Sequence, residues 1–263
     1  MDKLCVIKIG GNIIDDEAKL SSFLRSFAAL EGKKILVHGG GKIATKIGAR
    51  LGIESKYVDG RRITDAATID LVTMVYAGLI NKKIVAQLQS FGCNAIGVSG
   101  ADANLIPAVK RPVKETDYGF VGDVDTENIM GLFWDELLQL GLTPVASPIT
   151  HDGKGQLLNT NADTIAQEVA KVMCGSYEVS LIYSFDKAGV LIDVNDESSV
   201  INKLNKNYYD ELKNNGKIFA GMLPKLDNAF AALKSDVNKV IIGDAEQLND
   251  LIAGKSGTTI TNE

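Results

Sequence analysis

Short apolar runs without polar alternation recur along the chain. Such runs are typical of strands that are buried on both faces, as in a parallel sheet. The sequence predicts six strands, at residues 4–9, 34–37, 95–98, 144–146, 179–183 and 239–242. The longer stretches between them place apolar residues at helical spacing. They predict helices at residues 18–30, 43–51, 66–91, 128–140, 162–173 and 223–233.

Alternating strands and helices indicate an α/β fold with a mainly parallel central sheet that helices cover on both faces. Three segments break the alternation and predict small antiparallel hairpins: "LIPAVKRP", "GFVGDVD" and "ITHDGKGQLLN". The chain has no Pro/Ser-rich linker. We place the boundary between an N-terminal lobe of residues 1–175 and a C-terminal lobe of residues 176–263. Ligands of such open sheets bind beyond the carboxyl ends of the strands.

Composition excludes several functional classes. The chain has 263 residues, of which 45% are hydrophobic and 23% charged, as expected for a protein with a sizeable core. The net charge is −5 without basic clusters, so we expect no nucleic-acid partner. No apolar run reaches the ~18 residues of a membrane span, and no signal peptide is recognisable, so we expect a cytoplasmic protein. Three scattered cysteines and two histidines give no disulfide framework and no multi-His metal site.

Lys8 is the anomalous residue of the first apolar run. Burying an ammonium group without a partner is costly, so we expect Lys8 to reach an anion from the end of its strand, just before Gly10 and Gly11. The second strand ends similarly, in "VHGGGK" at residues 37–42, which opens a helix. Gly-rich turns at helix starts present backbone N–H groups to anions. The alternative is that both turns are glycine-rich only because they are tight. Two such turns near Lys8, in its predicted buried strand, favour an anion-binding site over that alternative.

Polar residues also cluster at the predicted starts of two later helices. Lys225 follows Pro224 in a first turn, where a lysine opposes the helix dipole unless an anion is bound. In "LLNTNAD", Asn161 is the expected N-cap and Asp163 lies in the first turn. Capping explains both of these residues. It does not explain Asn159, which precedes the cap and could contact a ligand.

The pair Arg61 and Arg62 is a candidate carboxylate clamp, because a guanidinium group binds a carboxylate through two parallel hydrogen bonds. Adjacent residues point in different directions, so at most one of the two is expected to face a site. The alternative is that both are solvated surface arginines.

A Rossmann oxidoreductase is a further alternative. Gly39, Gly41 and Ala44 satisfy the pattern G-x-G-x-x-A, and Asp59 follows as a candidate ribose-binding acid. The context of Asp59 differs from that pattern, because "YVDGRR" places it before a turn rather than at the end of a strand.

Seven motifs together resemble the amino acid kinase family over residues 8–229, with a consistent terminal "GTTI" strand. In chain order they are "IKIGGN", "VHGGGK", "DGRRIT", "SGADANLI", "GFVGDV", "LLNTNAD" and "GMLPKLDNA". The resemblance implies a three-layer α/β/α sandwich that forms a homodimer. It also implies ATP-dependent phosphorylation of the γ-carboxylate of N-acetyl-L-glutamate, the second step of arginine biosynthesis. The N-terminal lobe would bind the acylated glutamate, and the C-terminal lobe would bind ATP, whose phosphates and water would hold Mg²⁺.

The resemblance also implies roles for individual residues. Lys8 and Lys225 would stabilise the transferring phosphoryl group, and Asp163 would orient both lysines, so we expect Lys8 near Asp163. The implied substrate-binding residues are Gly40, Gly41, Arg62, Asn159 and Asn161, and the implied ATP-phosphate-binding residues are Gly10 and Gly11 together with the two lysines.

The chain departs from the family pattern where "SFDKAG" replaces [ST]-D-V-x-G and shifts Asp186 by one place. The nucleotide contacts expected of Ser184, Asp186 and Gly189 depend on this segment. The chain begins almost directly at its first strand, without the N-terminal helix of arginine-inhibited hexameric members, so we expect a dimer without that inhibition. Other substrates stay open: N-succinylglutamate, another substrate of the family such as aspartate or carbamate, or none in a catalytically silent sensor.

Overall fold

The computed structural model describes residues 1–58, 60–193, 196–218 and 222–262. Its strands are β1 (Asp2–Ile9), β2 (Lys33–Val37), β3 (Tyr57–Val58), β4 (Arg61–Arg62), β5 (Ala95–Val98), β6 (Ala108–Lys110), β7 (Gly122–Val124), β8 (Thr143–Ala146), β9 (Ile149–His151), β10 (Leu157–Asn159), β11 (Tyr177–Phe185), β12 (Lys203–Asn205), β13 (Lys239–Asp244) and β14 (Thr258–Thr261). Its α-helices are α1 (Gly11–Ile14), α2 (Glu17–Ala29), α3 (Gly41–Arg50), α4 (Ala66–Val72), α5 (Asn81–Ser90), α6 (Gly131–Gln139), α7 (Ala162–Met173), α8 (Lys206–Asn214), α9 (Leu223–Leu233) and α10 (Leu248–Ala253).

The six predicted strands and six predicted helices are all present, and the mainly parallel central sheet flanked by helices in a three-layer α/β/α sandwich is confirmed. The stretch at 66–91 contains α4, a π-helical segment (Thr73–Ile80) and α5. None of the helices in the described part of the chain is long and apolar enough to cross a membrane.

The chain packs into two compact units. The first unit combines Met1–Ile35 with Ala166–Glu263, and the second is Leu36–Ile165. These bounds differ from the expected lobes, because β1 pairs with β11 and therefore packs with the C-terminal part of the chain. The expected boundary at residues 175 and 176 lies between a helix and the next strand, and the division into an acyl-glutamate-binding lobe and an ATP-binding lobe stays a prediction.

Strands of the first unit follow the order β12, β14, β13, β11, β1. Strand β11 is parallel to both β1 and β13, whereas β14 is antiparallel to β13. In the register of β1 and β11, Lys8 lies opposite Tyr183 and Ile9 opposite Ser184. The carboxyl ends of these two parallel strands therefore lie side by side, where a ligand of this fold class binds.

Strands of the second unit include the parallel set β2, β8 and β5. The segment "ITHDGKGQLLN" forms the hairpin of β9 and β10 and turns at Asp152 and Gly153, as predicted. The prediction that "LIPAVKRP" and "GFVGDVD" each form a hairpin is wrong. Each segment contributes one strand, β6 and β7, to a single antiparallel pair. Strand β3 pairs with β4 in a further hairpin, which carries Arg62.

Candidate active site

The turn from β1 into α1 lies against the end of β11. The Gly10 N–H donates a hydrogen bond of 2.7 Å to the Ser184 carbonyl. A Cβ atom added at Gly10 would lie 3.0 Å from the Phe185 Cβ and 3.2 Å from its Cα, closer than side-chain atoms normally approach. At Gly11 an added Cβ would meet no heavy atom within 4 Å. Gly10 is thus required for the close approach of the two strand ends, and the neighbouring Gly11 faces open space.

The two candidate phosphoryl-binding lysines both belong to the first unit. Lys8 lies on β1, two residues before Gly10, and is half-buried. Lys225 lies in the first turn of α9, an 11-residue helix that starts at Leu223, and is also half-buried. Each lysine therefore occupies the position that the sequence predicted, at a strand end and at a helix start. Their roles in catalysis stay predictions.

The three candidate nucleotide-binding residues have different surroundings. The Asn12 side chain donates a hydrogen bond of 2.6 Å to the Asp186 carboxylate, which ties α1 to the end of β11. Ser184 is buried, and its hydroxyl group has no hydrogen-bond partner among the described residues. A Cβ at Gly189 would lie 2.7 Å from the Thr258 Oγ1. Packing against β14 is therefore sufficient to explain the glycine at 189.

In the second unit, Gly40 separates β2 from α3. Its φ angle is 149°, in the region that favours glycine, and an added Cβ would lie 2.2 Å from the Ile80 Cδ1 and 3.2 Å from the Tyr76 Cδ1. Ile80 and Tyr76 belong to the π-helical segment. This segment therefore packs directly against the turn, and its contacts together with the positive φ angle favour glycine at position 40.

Arg62 connects the β3–β4 hairpin to the start of α3. Its Nη2 donates to the Gly41 carbonyl at 2.8 Å and to the Thr45 hydroxyl at 2.9 Å, and its Nη1 donates to the Ser55 hydroxyl. The guanidinium carbon lies 4.9 Å from the centre of the Tyr57 ring. All of these partners are electrically neutral.

Burial distinguishes the two adjacent arginines. Arg62 is 7% exposed, whereas Arg61 is exposed to solvent. Within the described ranges no carboxylate forms an ion pair with Arg62. A cation that is buried among neutral groups is costly unless an anion compensates it. Arg62 is therefore the arginine of this pair that is suited to hold an anionic ligand.

The polar cluster before α7 also lies in the second unit. The Asn161 Oδ1 accepts hydrogen bonds from the backbone N–H groups of Asp163 and Thr164, at 2.8 and 3.1 Å, so the predicted N-cap is confirmed. The Asn159 side-chain nitrogen donates to the Thr64 hydroxyl at 3.0 Å. Asp163 is half-buried in the first turn. The expected approach of Lys8 to Asp163 joins the two units and stays a prediction.

His38 and Asn81 form a buried network that the sequence reasoning missed. The His38 ring is fully buried, with Nδ1 at 2.8 Å from the Gly39 carbonyl and Nε2 at 3.1 Å from the Asn81 side-chain nitrogen. That nitrogen also donates to the Val145 carbonyl at 2.9 Å. Burial lowers the pKa of His38 to about 4, so the ring is neutral at pH 7. One sequence feature could have predicted this network: the polar residue Asn81 lies within a long apolar helical stretch.

Two sequence expectations fall on residues outside the described part of the chain. Asp59 belongs to the alternative dinucleotide pattern, and Gly221 begins the motif "GMLPKLDNA". Among the described residues, no group of three His, Cys, Asp or Glu side chains is arranged to hold a metal ion.

Comparisons with known proteins cover nearly the whole chain. A model of the amino acid kinase family matches residues 3–244. The chain is 57% identical over 253 residues to the acetylglutamate kinase of Cytophaga hutchinsonii, which covers 96% of this chain and 95% of that protein. It is 52% identical over 259 residues to the acetylglutamate kinase of Phocaeicola vulgatus, with 98% of each chain covered. The solved structure of smu.665 from Streptococcus mutans is similar with a TM-score of 0.80 and 26% identity, covering 100% of this chain and 99% of that one.

Gly40→Ala is expected to lower the free energy of unfolding by about 2–4 kcal/mol, because it adds both a strained φ angle and a clash with Ile80. Gly39→Ala is the matched control, since an added Cβ there meets no atom within 4 Å. Urea denaturation measures both variants. The double variant Gly40→Ala/Ile80→Ala should lose less stability than the sum of the single losses, because the clash is removed. Equal losses for the two glycine variants would contradict this packing.

The His38 imidazole is expected to stay neutral down to about pH 5, because burial disfavours its charged form. In the unfolded chain the pKa returns to about 6.5. The unfolded state therefore binds the extra proton first, and stability falls by about 3 kcal/mol as the pH drops from about 6.5 to about 4. NMR titration of the ring protons measures this directly, with His151→Gln to assign the two histidines. A His38 midpoint near pH 6.5 would contradict the buried neutral ring.

Proposed function

This chain belongs to the amino acid kinase family, and on that basis we propose that it transfers the γ-phosphoryl group of ATP to the γ-carboxylate of N-acetyl-L-glutamate. The products are N-acetylglutamyl 5-phosphate and ADP, and the reaction is the second step of arginine biosynthesis. The similarity to two acetylglutamate kinases over at least 95% of each chain supports this substrate.

The observation that carries the proposal is the buried guanidinium of Arg62, whose hydrogen-bond partners among the described residues are all neutral. A carboxylate would supply the missing negative charge and accept from guanidinium N–H groups other than the three that bond to Gly41, Thr45 and Ser55. We assign to Arg62 the α-carboxylate of the acylated glutamate. Asn159 and Asn161 are assigned to neighbouring polar groups of the substrate, and Gly40 and Gly41 to its reacting end.

The chemistry requires no general base. A glutamate carboxyl group has a pKa of about 4.3 and is already ionised at pH 7, so it can attack the phosphorus directly. Phosphoryl transfer proceeds through a loose transition state and depends on positioning and charge stabilisation. Lys8 and Lys225 are assigned to the oxygens of the transferring group, and the N–H groups of Gly10 and Gly11 to the ATP phosphates. Asp163 is assigned to orienting the two lysines.

Mg²⁺ is assigned to the ATP phosphates and to water rather than to a protein cage. Small hard cations keep much of their hydration and commonly bind together with substrate phosphates. Bound in this way, Mg²⁺ would neutralise phosphate charge that the two lysines do not reach.

Family membership favours phosphoryl transfer over the Rossmann alternative built on Gly39, Gly41 and Ala44. The acyl group of the substrate is the main open choice, with N-succinylglutamate as the second candidate. The homodimer, the cytoplasmic location and the nucleotide contacts of Ser184, Asp186 and Gly189 stay predictions.

A substrate panel tests the proposed reaction. Purified protein is incubated with ATP and Mg²⁺ and with N-acetyl-, N-succinyl- or unmodified glutamate, and ADP formation is measured. We expect turnover with N-acetylglutamate and none with unmodified glutamate, whose charged amine differs from an acylated nitrogen. Turnover with N-succinylglutamate alone would change the acyl group of the proposed substrate but would leave the proposed reaction the same. No turnover with either acylated substrate, together with NADH binding, would favour the oxidoreductase.

Lys8→Ala and Lys225→Ala are each expected to lower kcat by about two orders of magnitude or more, because each removes charge stabilisation of the transition state. The matched controls are Lys3→Ala, an exposed lysine on the same strand as Lys8, and Lys234→Ala, an exposed lysine at the end of α9. Both controls should retain the wild-type kcat. A full kcat in either active-site variant would refute the role of that lysine.

A further inference from the structure

The buried network around His38 has only one consistent arrangement of protons. A carbonyl oxygen can only accept, so the Val145 carbonyl requires the side-chain nitrogen of Asn81 on its side. The same amide nitrogen faces the His38 Nε2, which must therefore be an acceptor. In a neutral imidazole the other nitrogen then carries the proton. The His38 Nδ1–H consequently donates to the Gly39 carbonyl.

This hydrogen bond fixes the direction of the next backbone N–H group. The Gly39 carbonyl and the Gly40 N–H belong to one peptide unit, which is planar and trans. In a trans peptide the C=O and N–H bonds point in opposite directions. Because buried His38 holds the carbonyl on its own side, the Gly40 N–H points away from it. Without that bond, a glycine pair has enough freedom to turn the peptide over.

We propose that His38, held in its Nδ1–H tautomer by Asn81, is a positioning residue that aims the Gly40 N–H at the reacting carboxylate of the acceptor. This inference rests on the proposed function, in which Gly40 lies at the reacting end of the substrate. His38 touches neither substrate and transfers no proton. It acts through the Gly39–Gly40 peptide, and Asn81 acts through His38.

The neutral state of the ring is part of the arrangement. A second proton on Nε2 would place two donors, the ring N–H and the Asn81 amide, against each other at 3.1 Å. The other neutral tautomer would instead turn the Nδ1 lone pair toward the Gly39 carbonyl oxygen, and two acceptors repel each other. Asn81 therefore selects the one ring state that holds the turn.

Two substitutions at position 38 separate positioning from packing. His38→Asn keeps an amide N–H near the place of Nδ1–H but leaves a cavity where the rest of the ring was. His38→Phe keeps a buried ring but has no donor. We expect the asparagine variant to lose thermal stability and to keep kcat within about threefold. We expect the phenylalanine variant to lose kcat by about 100-fold, the cost of misplacing a group by about 1 Å, with KM for ATP unchanged. His151→Gln, at the only other histidine, should match the wild type.

The tautomer itself gives a readout that does not depend on activity. Ring ¹⁵N chemical shifts distinguish a protonated from an unprotonated imidazole nitrogen, and only two histidines need assignment. We expect His38 to be purely the Nδ1–H tautomer in the wild type and a tautomeric mixture in Asn81→Leu. That variant should also show a lower kcat, because part of its population lacks the bond to Gly39.

The outcomes separate this inference from the proposed function. If the wild type turns over no acylated glutamate, the proposed function fails, while the tautomer measurement still tests the network. If the wild type is active and kcat follows thermal stability across both His38 variants, the ring has only a packing role and the inference is overturned. A wild-type His38 in the Nε2–H tautomer would overturn it as well.

Discussion

A buried guanidinium with neutral partners is the constraint on which the second unit depends. Arg62 bonds to the Gly41 carbonyl and to two hydroxyl groups, and it lies over an aromatic ring. These contacts fix the side chain without cancelling its charge. The carboxylate that we propose for this site would offset the cost of that buried charge, and the contacts that shape the β3–β4 hairpin would then also prepare the proposed anion site. An exposed arginine such as Arg61 gains much less from a carboxylate, because water already solvates it.

Both units use glycine to bring a strand end close to another element. In the first unit Gly10 allows β1 to end against Phe185 of β11. In the second unit Gly40 allows the turn after β2 to pass under Tyr76 and Ile80 of the π-helical segment. The physical reasons differ: Gly10 lacks space for a Cβ atom, whereas Gly40 lacks space and also has a positive φ angle. In both cases the backbone, rather than a side chain, faces the predicted position of a charged ligand.

The sequence predicted most of the secondary structure, because apolar periodicity depends on local burial. The N-cap at Asn161 was predictable for the same reason, since capping involves residues two or three apart. Contacts between distant residues were not predictable. The network of His38 and Asn81 joins residues 43 apart, and the pairing of β6 with β7 depends on how the intervening loop folds. To choose between Arg61 and Arg62 as the ligand-binding arginine, one must know which side chain is buried. The sequence of a two-residue strand does not reveal this.

The division into compact units also depended on long-range pairing. A linear boundary near Gly175 follows from the order of elements, but β1 pairs with β11 along eight residues and so packs with the C-terminal part of the chain. Gly189 shows that a residue of a sequence motif can also have a purely structural reason. The family resemblance implies a nucleotide contact for this glycine, yet its contact with Thr258 gives a packing reason for the same residue.

The central claim is that Arg62 holds the α-carboxylate of the phosphoryl acceptor. The most direct measurement compares kcat/KM for N-acetylglutamate with that for its α-carboxamide analogue, in the wild type and in Arg62→Met. The account predicts that the wild type prefers the carboxylate by about 100-fold or more, because the amide leaves the buried cation uncompensated, and that Arg62→Met loses this preference. Equal discrimination by both proteins would contradict the account.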